Sequence, residues 1–595
     1  TTIGDGATLS AGDARNAAPS IGTLTLNNLT LGATASTIFD LGAPSIDTVA
    51  PINDLIVVSG NLDLGGSTLN FNTLSGFTAG TYRLMTYGGA LAGTANLGLL
   101  PVGFIYTLNT AGGNVDLEVE LIDFYWDGNG PANNTIVEGG PGTWNVANTN
   151  WTDVGGNISI AWQNNARAFF TNVGGDVTVD GNFTYSTLFF TVDGYTLNPA
   201  AGATLGADAG TIDVAAAATA MINIDLVGTN GLTKAGDGTL VLSGTNSFTG
   251  GLSIDGGTLA VTQAAALGAD AVTINGGAQT LRFDADMTVA NNINGVGIGY
   301  NVDTGANTVT LEGSLSGGGA DKLGSGTLVL NNAINDQPNA LAVFNGSLIV
   351  NGGVQGGVGG ASASLIGGTG TITGLVSTSG TLSAGVAPGQ VGALTAGSLT
   401  LGASSTSLFD LGVVGVVGGT NDLVVVNNNL TLDGTLIVNP LAGWHIGTGS
   451  FRLFNYGGAL TDNGLELGGA LLTPPADVTY TVNTTVANQV TLDIGYTGEF
   501  NWDGNGAPVD GIIQGGDGTW NAGNTNWTNS DALFNLAWVD STATVANFGG
   551  ASGGGAVTVE GTRTFGTLNF TATGYTLGGA GDLAMNGGIV NVTAE

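Results

Sequence analysis

The chain has 595 residues, 44 acidic against 8 basic side chains, a formal net charge of −36, 106 glycines, one histidine and no cysteine. Eight scattered Lys and Arg make no basic footprint for nucleic acid, and without Cys there is no disulfide framework, thiolate metal site or thiol nucleophile. Disorder is excluded because the hydrophobic 42% falls in organised short runs, and no apolar run reaches the roughly 18 residues of a membrane-spanning helix.

Thr1-Thr2-Ile3-Gly4 has neither a basic nor an apolar leader region, so the chain reads as the start of a mature or excised segment. From there the pattern is uniform. Short runs such as Leu24-Thr25-Leu26, Val177-Thr178-Val179, Leu240-Val241-Leu242 and Val557-Thr558-Val559 alternate apolar with polar residues. Gly-Gly, Asn-Gly, Asp-Gly and Gly-Thr pairs bound them. This is β-strand and turn, and no helical period is sustained anywhere.

Five segments follow in order: coils over 1–121, a Trp-Asp-Gly module over 122–230, shorter repeats over 231–370, a second copy of the coils over 371–497, and a second module over 498–595. The two copies are related by matched elements. Phe39-Asp40-Leu41-Gly42 recurs as Phe409-Asp410-Leu411-Gly412, and Asn53-Asp54-Leu55 as Asn421-Asp422-Leu423. Trp126-Asp127-Gly128-Asn129-Gly130 recurs as Trp502-Asp503-Gly504-Asn505-Gly506, and Gly194-Tyr195-Thr196-Leu197 as Gly574-Tyr575-Thr576-Leu577. The offset runs only from 368 (421 minus 53) to 380 (574 minus 194). The second copy stops soon after its last match, so the chain reads as cut in mid-unit from a longer array.

Length and even composition then select the fold. A single sandwich or barrel rarely needs this many residues, and no Pro-rich or polar linkers mark a string of domains. The expected fold class is all-β, a right-handed parallel β-helix (β-solenoid) forming an elongated rod. Each coil needs several turns, which accounts for the Gly. Its outward positions suit Thr, Ser and Asn. Between the copies, Gly238-Thr239-Leu240-Val241-Leu242 recurs as Gly326-Thr327-Leu328-Val329-Leu330. Each is followed by a second strand about twenty residues on, the size of one solenoid coil.

The stretch from Gly231-Leu232-Thr233-Lys234 through Gly238-Thr239-Leu240-Val241-Leu242 and Asn246-Ser247-Phe248-Thr249-Gly250-Gly251 resembles the autotransporter-associated β-strand repeat. Residues 320–350 are similar without the Asn-aromatic portion. The resemblance implies a parallel β-helix, export, and the surface of a Gram-negative bacterium, as in giant repetitive passenger proteins.

Candidate functional residues are few. Eight of the nine Trp fall in the two modules: Trp126, Trp144, Trp151, Trp162, Trp502, Trp520, Trp527 and Trp538. They are candidate glycan-stacking platforms or structural aromatics that fill the coil, and their periodic recurrence favours the structural role. Asp127-Gly128-Asn129 and Asp503-Gly504-Asn505 have residue types suited to Ca²⁺. No Gly-Gly-x-Gly-x-Asp run supports calcium, and Asp and Asn belong equally in turns. No cofactor is expected, with Ca²⁺ only a weak candidate.

Catalysis finds no set. Arg15, Arg83, Arg167, Lys234, Arg282, Lys322, Arg452 and Arg563 are dispersed, and His445 has no counterpart in the first copy. A polysaccharide lyase or hydrolase would need acids converging with a base or cation. The matched pairs Arg83/Arg452 and Lys234/Lys322 are expected to be structural, with stems packed over apolar surface or paired to a nearby Asp. The functional expectation is a structural, non-catalytic extracellular fibre or stalk of tandem units of about 370 residues, self-associating end to end. An adhesin binding glycans or surfaces is the alternative.

Overall fold

Strand pairing turns the sequence pattern into stacked coils. The computed structural model describes residues 1–12, 20–101, 104–128, 134–206, 210–297, 299–444, 446–504 and 509–594. It divides into two compact units, one of 1–240 with 247–249 and one of 241–246 with 250–595. Arg15, Asn129, His445 and Asn505 lie outside the described residues. Among the described residues there is no α-helix, only 3₁₀ turns at Ala264–Leu267 and Gly469–Leu472.

In the first unit each early coil contributes one strand to each of three parallel sheets. Thr2–Ile3, Leu29–Leu31, Leu62–Asp63 and Leu91–Ala92 form one. Thr8–Ser10, Ser36–Leu41, Thr68–Thr73 and Asn96–Leu97 form the second. Thr23–Leu26, Leu55–Val58 and Gly80–Tyr87 form the third. Inward positions stack on themselves: Leu29, Leu31, Phe39, Leu62, Leu69 and Leu84 share one buried cluster. Each such aliphatic contributes about 1.5–3 kcal/mol of burial, so the stack is held by repetition rather than by any single contact.

The second unit repeats the plan, here with a shorter coil than in the first, where Leu29 lies opposite Leu62, 33 residues on (62 minus 29). Thr308–Leu311, Thr327–Leu330, Gly346–Val350, Ser364–Gly368 and Thr381–Ala384 pair successively in parallel. Thr327 lies opposite Ser347, so that coil spends 20 residues (347 minus 327). The register keeps Leu328 beside Leu348 and Leu330 beside Val350, and all four are buried. That alignment of like side chains is what fixes the parallel register.

Each copy interrupts the parallel stack with an antiparallel hairpin at a matched place, and again with a short antiparallel pairing in its module, Trp126 opposite Trp151 and Trp502 opposite Trp527. Phe104–Asn109 and Asn114–Leu121 form an antiparallel hairpin that pairs antiparallel to Gly80–Tyr87. Val478–Asn483 and Gln489–Tyr496 do the same on Gly449–Tyr456. The first hairpin turns through Gly112 and Gly113, at φ +67 and +80, where the left-handed region favours glycine. Both Trp-Asp-Gly modules then resume parallel coils.

Candidate functional site: the Trp-Asp-Gly modules and their outer face

The Trp-Asp-Gly motif is a turn clamp. Trp126 donates its indole N–H to the Gly140 carbonyl at 2.8 Å, and Trp502 to Gly516 at 2.9 Å. The Asp127 carboxylate accepts the Glu138 backbone N–H at 2.7 Å, and Asp503 accepts that of Gln514. Gly128 and Gly504 sit at φ +62 and +71, where a Cβ would lie 2.3 and 2.4 Å from the carbonyl oxygens of Gly139 and Gly515. Only glycine fits both the backbone and the contact. Tyr195 and Tyr575 close the same turn, donating to the Thr171 and Gly549 carbonyls at 2.8 and 2.6 Å.

All eight indoles are buried. Trp126, Trp144, Trp151, Trp502, Trp520 and Trp527 are 0% exposed, Trp162 7% and Trp538 4%. They interlock edge to face. Trp144–Trp151 and Trp144–Trp162 centroids lie 5.0 and 4.8 Å apart, and Trp520–Trp527 and Trp520–Trp538 lie 5.2 and 4.7 Å apart. The ring quadrupoles favour this geometry. The N–H groups of Trp144, Trp151, Trp520 and Trp527 meet no oxygen acceptor among the described residues, and ring faces surround them instead. None of the eight offers an open face to a ligand.

The outer face of the same strands carries the aromatics that are open to solvent. Tyr125 lies opposite Phe169, Phe169 opposite Phe189, Phe189 opposite Asp213 and Asp213 opposite Ala235. The rings stack, with Tyr125–Phe169 at 4.8 Å and 15° and Phe169–Phe189 at 4.4 Å and 14°. All three are half-buried. The neighbouring column begins with Asp123 opposite Arg167 and continues through Thr187, Thr211 and Thr233. Arg167 and Asp123 form an ion pair, with their side chains 53% and 30% exposed. Desolvation, with the Asp123 charge adding to it, pushes the Tyr125 phenol up. The second module places Asn501, Asn547, Asn569 and Asn591 in the equivalent column. These amides bond along the stack, Asn569 to Asn547 at 2.8 Å and Asn591 to Asn569 at 2.9 Å.

Sequence reasoning singled out the Trp and passed over Tyr125, Phe169 and Phe189. The available signal was the doublets Phe169-Phe170 and Phe189-Phe190, because neighbours on a strand point to opposite faces.

Lys234, Lys322, Arg83 and Arg452 are held by oxygens of the chain itself. Lys234 Nζ donates to the Ala235 and Gly236 carbonyls at 2.8 and 2.7 Å. Lys322 Nζ meets Leu323 and Gly324 the same way, at 3.0 and 2.7 Å, and also Thr304 Oγ1 and the Gly326 and Asn345 carbonyls at 2.9, 2.8 and 3.0 Å. Both side chains are fully buried, and desolvation pushes both amines down to about 8, opposed by nearby Asp charges. At neutral pH they remain cations caged by oxygens. Arg83 pairs bidentately with Asp116 at 2.9 Å, whereas Arg452 donates to Asn455 at 2.7 Å.

The acids are occupied too. Asp54 accepts the backbone N–H of Gly22 and Asp40 at 2.7 and 3.1 Å, and its counterpart Asp422 accepts those of Gly392 and Asp410 at 2.8 Å each. Desolvation pushes Asp422 up to about 7 and Asp503 up to about 6. Among the described residues no group of three or more His, Asp or Glu converges as for a metal ion. The motif acids Asp127 and Asp503 act on backbone N–H groups, whereas Asp123 pairs with Arg167.

The Lys-x-Gly-x-Gly-Thr turns just described coincide with a family match. The Passenger-associated-transport-repeat family matches residues 232–261 and 321–354. A relative named "Adhesin BmaC autotransporter", from Brucella suis biovar 1 (strain 1330), is 37% identical over 332 residues. The chain carries autotransporter-passenger repeats. That alignment covers 51% of this chain and 10% of the relative, so the chain spans about a tenth of the relative's length. In both repeats of this chain the Lys, Lys234 or Lys322, is the cation around which its own turn folds.

Proposed function

We propose that this chain is a non-catalytic segment of a surface-exposed adhesin of a Gram-negative bacterium, in which stacked coils form a stalk that carries binding surfaces outward. The observation that carries the reading is the continuous sheet of nine strands from Met287 to Leu467, each a coil apart and each paired to its successor in parallel. Such a stack satisfies backbone groups coil by coil and resists local opening. The passenger repeats and the adhesin relative support export and adhesion. The occupied acids and lysines support a scaffold rather than a reaction centre. Copies offset by 368 to 380 residues (421 minus 53; 574 minus 194) would make the repeat of the stalk, and end-to-end association of subunits would extend it.

Electron microscopy and small-angle scattering of the purified chain test the stalk. Rods on the order of 100 Å or longer are expected from about 4.8 Å per coil, and compact globules would overturn it. Display of the chain on a non-adherent bacterium tests adhesion, and no gain in attachment to host cells or surfaces would remove that half of the reading.

A further inference from the structure

We propose that the outer face of the first Trp-Asp-Gly module binds a neutral glycan through the ring stack Tyr125–Phe169–Phe189 and the polar groups Arg167, Asp123 and Asp213. The proposal deepens the adhesin reading and rests on it only for export to a surface.

The column steps down in size along the coils. Three rings in register at 4.8 and 4.4 Å are followed by Asp213 and then Ala235. No fourth ring stands at the position beside Phe189, where the column carries a carboxylate instead. The Arg167–Asp123 ion pair stands one column away, half in solvent. A pyranose has an apolar C–H face and a rim of hydroxyls. Phe169 is covered on both faces by its neighbours, so the ring face left beside the smaller Asp213 is that of Phe189, and it suits the C–H face, while carboxylate and guanidinium suit the rim through charge-assisted hydrogen bonds. A few placed polar groups beside apolar surface are the usual make-up of a small-molecule site.

The molecule supplies its own control. The second module builds the same coils with Asn501, Asn547, Asn569 and Asn591 in place of the rings, and the amides bond to one another along the stack. Coil formation therefore does not require aromatics in this column, and the identity of Tyr125, Phe169 and Phe189 is left for another cause. Charge narrows the occupant. A chain of net charge −36 repels polyanionic glycans, and it repels the sideways approach of a second copy to this face equally. A neutral oligosaccharide meets neither cost.

The test titrates the whole chain with cellopentaose, chitopentaose and mannopentaose by calorimetry, with saturation-transfer NMR as a second readout. Saturable binding of at least one is expected. The variant Tyr125→Asn/Phe169→Asn/Phe189→Asn copies the second module and should weaken that binding at least tenfold with an unchanged circular-dichroism melt. If it misfolds, Phe189→Leu replaces it, with about a fivefold loss expected. The reverse graft, Asn501→Tyr/Asn547→Phe/Asn569→Phe, should add binding stoichiometry. Absence of saturable binding to all three sugars overturns the proposal, as does full binding by the Asn-substituted chain. Loss of a self-association in that variant that sugar does not compete would assign the face to a second copy and overturn it too. None of these failures alters rods seen by microscopy, so the stalk stands or falls separately.

Discussion

At the residue scale, three buried ionisable groups, Lys322, Asp422 and Asp503, decide local stability. Lys322 holds five oxygens within 3.0 Å and is fully buried. Replacing it by Met strands those acceptors, and a loss of about 3 kcal/mol is expected. Hydrogen exchange at residues 323–326 should rise well above that at the distant Trp modules, and equal protection would show the cage to be dispensable. The pH dependence has a worked sign. Asp422 and Asp503 are raised from 3.8 to about 7 and about 6. Their contribution is fully present below the unfolded value and is lost as pH rises through 6 to 7. Thermal melting should therefore show a higher midpoint at pH 5 than at pH 8, and a flat profile would mean the carboxylates are better solvated than their burial implies. The pairing Asp54/Asp422 was legible as a repeated Asn-Asp-Leu. Its burial was not, because the N–H groups it binds come from other coils, such as Gly22 and Gly392.

At the element scale, each Trp-Asp-Gly module is an aromatic plug between coils. Trp151 touches Trp126, Trp144 and Trp162 within 5.1 Å, and Trp527 repeats the pattern with Trp502, Trp520 and Trp538 within 5.2 Å. Trp151→Ala or Trp527→Ala should cost about 3–5 kcal/mol by opening a cavity in that cluster. Denaturant titration followed by Trp fluorescence should show the loss in the mutated module first. Unchanged melts would indicate that the cluster collapses to fill the space. The motif's turn chemistry was readable in sequence, since Asp-Gly predicts a turn. The hairpins at 104–121 and 478–496 were not anticipated, because their alternating strands read the same whether they pair parallel or antiparallel. The Gly112-Gly113 turn is the feature that reverses the chain.

At the scale of the whole molecule, charge is the dominant surface property. A net −36 with few cations opposes the sideways approach of copies. Raising salt shortens the Debye length to about 10 Å at 0.1 M. The second virial coefficient from light scattering should therefore fall as salt rises from 10 to 150 mM. A salt-independent value would indicate that neutral surface, not charge, governs contact between copies.

The sequence by itself determined the strand-and-turn pattern, the two copies, the passenger repeats and the residues that must turn, because each rests on local chemistry: alternation, positive φ at glycine, a carboxylate beside a backbone N–H. Only the tertiary structure decided which face of each strand lies inside. Phe169-Phe170 and Phe189-Phe190 are doublets whose members point oppositely. Phe170 and Phe190 are 0% exposed, while Phe169 and Phe189 stack at the surface. A shift of one residue would exchange them, and the phase is set by the coils above and below, through contacts about twenty residues or more away. For the same reason the burial of the eight Trp, read as platforms or, by preference, as structural aromatics, is a tertiary fact, and an Asn column in one copy faces outward where the other presents rings.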